Sequence, residues 1–287
     1  MIVVTGATGH VGRLTAEELA RRGLSMRLLA RDPSRAPSLP GTEVVRADYG
    51  DPESLGAALR EGDRVFMVSV HEGPERRVPL HRAFIEAAAR RGVAQVVYLS
   101  FVNAGPSAVF LHARSHGATE AMLEESGVPY TSIRNGMYAD HIPGWFDAEG
   151  VAREPVGDGR LSFSYRPELA EAIAVTLTEP GHEQTIYNIT TRDSVTLTDL
   201  ARIASEVIGC EYRYEPRTRD EWEARWRSRG KPDWEVEAGL TSFDAQLAGE
   251  FDVVTDDFHT LTGREPLSVA EITSLHASEL PLQPPPP

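Results

Sequence analysis

The run TGATGHVG at residues 5–12, directly after Ile2-Val3-Val4, constrains this chain more than any other segment. An apolar strand, a turn with glycines at positions 6, 9 and 12, and a helix start follow one another without spare residues. Glycines at this spacing permit a tight turn, close approach of the backbone to a diphosphate, and close packing of the helix on the strand. The helix start then presents free amides to the anion. Val11, Leu14, Ala16, Leu19 and Ala20 give that helix an apolar face before Gly23 stops it. Alone, three glycines make an ordinary turn. Between two strands and opening a helix, they have the context of a dinucleotide site.

The remainder repeats the strand-then-helix alternation. Apolar runs at residues 26–30, 43–46, 64–70, 95–100 and 129–133 are separated by helical stretches, one rich in Ala and Arg that ends at Gly92. Asp51 can cap and Pro52 can start the helix after the third strand. This spacing predicts an α/β fold with a doubly wound parallel sheet and right-handed crossovers. Beyond Gly136 the pattern is broken by Pro143, Gly144, Gly150, Pro155, Gly157 and Gly159, where a smaller C-terminal α/β lobe is expected. The expected division is residues 1–136 for the nucleotide domain, 137–280 for the lobe, and 281–287 for a proline-rich, extended tail. Helices are expected at 167–178, 198–208 and 219–229. A strand at 185–189 is expected to return through Ile186, Tyr187 and Ile189 toward the main sheet.

A formal net charge of -14 argues against nucleic acid as a partner, since phosphate backbones require a basic face. The single cysteine, Cys210, excludes an intrachain disulfide and a cysteine-rich metal site, and no metal is expected. With no membrane span and no signal pattern at the start, a cytoplasmic protein acting on a small-molecule substrate is expected. A homodimer or a regulatory protein partner is compatible with these features.

Arg31 ends the second strand, where an acid usually holds the ribose 2′-hydroxyl of NAD. A guanidinium there matches a 2′-phosphate, and Arg35 is near enough in sequence to assist, so NADP (as NADPH) is favoured over NAD. Asp32, one residue on, is the competing reading. Asp48 and Tyr49, after the third strand, suit an adenine amino group and ring, or equally a turn cap and a core aromatic.

With TGATGHVG come LLARDPSR, ADYGDPESL, VVYLS, HGATEAML, SGVPYTSIRNGMY and GHEQTIYNIT, in order through the first two thirds of the chain. Together they resemble the NmrA-like branch of the atypical short-chain dehydrogenase/reductases, and within it the type 2 NAD(P)H:quinone oxidoreductases. LTDLARIASEVIG and residues 251–267 continue the match weakly. The resemblance implies a Rossmann domain, a small lobe and a substrate cleft between them. It implies cofactor contacts at Gly6, Thr8, Gly9, His10, Val11, Gly12, Arg31, Asp48, Tyr49, Ser69, Val70 and Ser100. Asn135, Gly136 and Tyr138 are implied to lie beside nicotinamide and substrate.

One departure bears on chemistry. Extended reductases of the superfamily carry Tyr-x-x-x-Lys on a helix, and this chain has His112-x-x-x-His116-x-x-x-Glu120. Loss of both catalytic types argues against ordinary alcohol dehydrogenation. Quinone reduction is less demanding, because a quinone accepts hydride readily and water or a histidine can deliver the proton. His112 is therefore expected as proton donor and His116 as a cofactor-side group, with polar positions on a solvated helix as the plainer alternative. Residues 71–73 and Trp145 with Phe146 are expected to line the substrate site. Trp222, Trp226 and Trp234 are expected as core or cover of the lobe. The expected activity is NADPH-dependent reduction of a quinone or similar electron-poor carbonyl. The rival readings are a non-catalytic NAD(P)-binding redox sensor and a reductase devoted to one secondary metabolite.

Overall fold

The computed structural model describes residues 1–282, so the expected tail lies, from residue 283 on, outside the described residues. Strands β1 (Ile2–Thr5), β2 (Met26–Ala30), β3 (Thr42–Arg46), β4 (Arg64–Met67), β5 (Gln95–Phe101) and β6 (Tyr130–Asn135) build most of the main sheet. Helices α1 (His10–Arg21), α2 (Pro52–Ala58), α3 (Pro74–Arg91) and α4 (Leu111–Ser126) connect them. The short strands β7 (Met137–Tyr138), β8 (Val151–Ala152) and β9 (Leu161–Ser164) open the lobe, and α5 (Arg166–Thr178) returns to the domain. Then come β10 (Thr185–Ile189), β11 (Ser194–Val195), α6 (Leu197–Ile208), β12 (Arg213–Tyr214), α7 (Arg219–Ser228), α8 (Asp233–Leu247), α9 (Asp257–Thr262) and α10 (Val269–Leu275).

The main sheet has seven strands in the order β10-β6-β5-β4-β1-β2-β3, and every neighbouring pair is parallel. Parallel sheets are covered on both faces, which is why β2 and β5 are mostly apolar and are buried throughout. Side chains alternate between the layers. Val4, Leu28, Phe66, Val97 and Ile133 meet α1 and α5, while Val3, Leu29, Val65, Met67 and Val96 meet α2, α3 and α4. Ile189 of β10 joins the first of these cores, so this strand completes the domain although it follows the start of the lobe. A third core unites β9, α6, α7, α8 and α10.

From β1 the chain winds outward to β2 and β3, then crosses back to place β4 on the other side of β1. At such a reversal the loops beyond the carboxyl ends of neighbouring strands diverge, and a crevice opens. The expected helices at 198–208 and 219–229 are found within a residue as α6 and α7. Helices α8, α9 and α10 were not anticipated from the sequence.

Candidate active site

Gly6 adopts φ +61, a conformation that costs little only for glycine, and its carbonyl accepts the Gly9 amide at 2.9 Å. A Cβ on Gly12 would lie 2.3 Å from the Gly6 oxygen, so only glycine lets α1 start this close to the turn. The residue before α1, Gly9, supplies no capping side chain, and the first-turn amides face the crevice with no protein acceptor of that kind.

The crevice deepens into a cleft of about 590 Å³. Its floor is the glycine turn with His10 and Val11. One wall is Val68, Ser69, Val70 and His71 after β4, and another is Asn135, Gly136, Met137 and Tyr138 at the β6–β7 junction. Leu99 and Phe101 of β5, with Phe110, His112 and His116 at the start of α4, close the back. His141, Trp145, Arg166 and Arg77 complete the lining.

The cleft thus brings together Gly6, Gly9, His10, Val11, Gly12, Ser69, Val70, His112, His116, Asn135 and Tyr138 from the sequence expectations. It leaves out Thr8, Arg31, Asp48, Tyr49 and Ser100. Thr8 and Arg31 are exposed at the carboxyl edge of the sheet, outside the cleft proper. Asp32 Oδ1 accepts the Ser34 amide at 3.0 Å and caps a short turn. Asp48 likewise caps its own turn through the Gly50 amide. Tyr49 is a core aromatic: its hydroxyl joins Thr5 Oγ1 at 2.8 Å and the Val68 carbonyl, and its ring packs on Phe84. The Ser100 hydroxyl donates to Glu120 at 2.7 Å, and Glu120 in turn holds Arg134. Both hydroxyls therefore have partners within the protein. Glu120, third in the His-His-Glu spacing, belongs to that pair. Phe146 packs on Tyr212 inside the lobe, so Trp145 alone of the two reaches the cleft.

Two tryptophans of the lobe behave as expected, with Trp222 buried and stacked on Trp226 at 4.4 Å. Trp234 differs. It stands edge-on to His71 and lies against His112 at 5.9 Å between centroids, at a side chamber that shares His71, Phe110, His112 and Met137 with the cleft.

The two histidines of α4 are electrically quiet. Burial, reinforced by the positive Arg77 and by His71, pushes His112 down to about 3, so its ring is neutral near pH 7. A neutral imidazole is a weak proton donor, which alters the role expected from the sequence. Its buried Nδ1 has no hydrogen-bond partner within the protein. Burial and Arg77 hold His116 well below its usual range too, and its Nδ1 meets the Tyr98 hydroxyl at 2.8 Å. Burial keeps the Tyr138 phenol up at about 12, with the Arg166 guanidinium over its ring at 5.4 Å.

Sequence reasoning missed His81, which fixes the wall from behind. The Val70 amide donates to its Nε2 at 3.1 Å, leaving Nδ1 to donate to Thr119, whose hydroxyl donates to the Ser115 carbonyl. It also missed Arg77. The available signal was periodicity: Arg77, His81, Phe84, Ile85 and Ala88 share the buried face of α3.

The glycine turn, the strand-end walls and the reversal of winding form a dinucleotide crevice, and residues 6–180 match the family described as NAD(P)H-binding. The chain belongs to the NAD(P)H-binding family. This NAD(P)H-binding protein is 32% identical to quinone oxidoreductase 2 of Escherichia coli K12 over 96% of its own length and 98% of the relative's. The structure of that NADPH-dependent quinone oxidoreductase with NADPH superposes with TM-score 0.87 at 30% identity, covering 96% of this chain and 99% of the other. The NADP(H) complex of Citrobacter triphenylmethane reductase gives 0.85 at 29% identity, covering 96% and 99%. The NAD(P)H-binding protein is an oxidoreductase with the Rossmann-type fold of these relatives. No helix among the described residues is long and apolar enough to cross a membrane.

Proposed function

We propose that this oxidoreductase passes hydride from NADPH to a quinone or a similarly flat, electron-poor acceptor. The observation that carries the reading is a cleft running from the glycine turn to a pocket walled by Phe101, Phe110, Tyr138 and Trp145, side chains suited to a flat ring. Kinship to a quinone oxidoreductase supports the same substrate class. The single cysteine supports a cytoplasmic setting.

The residues present fit a dinucleotide: bare first-turn amides and a turn no Cβ could enter at Gly12. When bound, NADPH supplies the hydride. Gly6, Gly9, His10, Val11 and Gly12 hold the diphosphate through backbone and helix dipole. Arg31, exposed and without a carboxylate in ion-pair distance, meets the 2′-phosphate. Asn135 is kept in place by its Nδ2 donating to the Gly136 carbonyl at 2.7 Å, and with Tyr138 and Val70 it fixes the nicotinamide end. His112 orients the acceptor as a neutral hydrogen-bonding ring. Water supplies the final proton, and catalysis comes chiefly from positioning.

The test is NADPH oxidation by the purified protein with a panel of small quinones, with cofactor fluorescence recorded in the same cell. Oxidation that saturates with quinone is the expected result. Tight NADPH binding with no quinone-dependent oxidation would refute the substrate class and turn attention to a metabolite-specific reductase or a redox sensor. Arg31→Ala should weaken NADPH binding more than NADH binding, and an equal loss would place the 2′-phosphate elsewhere.

A further inference from the structure

Arg77 is only 4% exposed, yet it lacks what every comparable arginine here has. Arg27 is paired with Asp63, Arg134 with Glu120 and Arg166 with Asp140. Arg77 has no carboxylate within ion-pair distance among the described residues. Among the described residues its one side-chain hydrogen bond runs from Nη1 to Ser115 Oγ at a long 3.3 Å, and its buried Nε has no partner. The residue lines the cleft with His112 and His116, whose rings burial holds neutral near pH 7. A buried, unpaired cation is costly, and proteins keep such a cost where a ligand supplies the missing countercharge.

We propose that Arg77 is the oxyanion-binding residue of the acceptor site, holding the acceptor oxygen that becomes negative as hydride arrives. The proposal rests on the quinone reading above. The acceptor gains a hydrogen and its electron pair, supplied by NADPH, at one quinone oxygen. Its π electrons shift, the opposite oxygen becomes a phenolate against Arg77, and water gives that oxygen its proton. NADPH is oxidised to NADP⁺ and the quinone is reduced to hydroquinone. The guanidinium does not titrate in this step and serves as a fixed charge aimed at charge that develops. It supplies from α3 the cation that α4 lacks, where His112 and His116 stand in place of tyrosine and lysine.

The experiment uses 4-nitrophenol, whose phenolate absorbs in the visible and whose phenol does not, bound to the full protein with NADP⁺. Wild type should lower the ionisation midpoint of the bound probe by at least about one pH unit, a tenfold change in favour of the phenolate. Arg77→Met should abolish that shift, and Arg77→Lys should keep part of it. Quinone turnover should fall in Arg77→Met by about 100-fold in kcat. The same variant should melt at a higher temperature than wild type, because the unpaired buried charge is gone; a purely structural arginine would give a lower one. The proposal is overturned if the probe does not bind wild type, if the shift survives Arg77→Met, or if that variant loses NADPH affinity while the shift remains. An Arg77-dependent shift in a protein that reduces no quinone would sink the quinone reading and leave the oxyanion site standing.

Discussion

At the scale of single residues, the site is shaped by which side chains already have partners. Ser100 and Tyr49 stand at strand ends in the expected places, yet their hydroxyls are spent on Glu120, Thr5 and Val68. Strand alternation explains Ser100: Leu99 and Phe101 line the cleft, so the residue between them points to the opposite layer. Arg77 was hidden for the opposite reason, because an arginine in a helix rich in arginine gives no sign of burial until its register is drawn. His81 carries a consequence for stability. Burial and the nearby Arg77 lower its pKa to about 3 from 6.5, so between these values the unfolded chain binds a proton that the native ring refuses. Stability is thus fully present above pH 6.5 and is lost as pH falls below it, at about 1.4 kcal/mol per pH unit for this ring. Replacing His81 with Gln keeps an acceptor for the Val70 amide and removes the titration. Urea unfolding from pH 7 to pH 4 should then show a shallower decline in the variant. An unchanged slope would mean that His81 does not contribute to the acid sensitivity.

At the scale of elements, the domain was readable because its signals are local. Strands at 26–30 and 185–189 have the boundaries their apolar runs suggested, and Asp51 caps α2 through the Ser54 amide with Pro52 behind it. Helix α8 was not readable. Val236, Leu240 and Phe243 recur on one face, but Gly239 interrupts the run, and its purpose appears only in three dimensions: a Cβ there would lie 2.1 Å from the Trp222 ring. The turn at the start of α1 makes its own prediction. Ala at position 12 would drive the helix away from the Gly6 carbonyl, and small overlaps of this kind in packed interiors cost about 1–3 kcal/mol. NADPH affinity should drop by at least tenfold in Gly12→Ala while the far-UV spectrum stays native. Retained affinity would show that the diphosphate does not depend on this approach.

At the scale of the whole molecule, the segment after α8 is tied to the start of α4 beside the cleft. Helix α4 begins without a capping side chain of its own, and Glu250, from the segment after α8, accepts the Val109 amide at 2.8 Å and the Phe110 amide at 3.3 Å. Asn103 reaches the Glu250 carbonyl from the same side. The helix that bears His112 therefore owes its first turn to the lobe, a relation no local pattern could disclose. Glu250→Ala should destabilise the protein by about 1–2 kcal/mol and speed amide exchange at residues 109–113. Exchange there at the wild-type rate would show that the helix start holds without the lobe.

The cleft draws its lining from separate cores. The glycine turn belongs to the layer of α1 and α5, Arg77 and His116 to the layer of α3 and α4, and Trp145 to the lobe. On the proposed reading the donor and acceptor ends are built from side chains of different cores, and changes at the two ends should add rather than interact. On the proposed reading such a division lets one nucleotide grip serve a succession of acceptors: side chains of α3, α4 and the lobe can change around a new ring without disturbing how electrons enter.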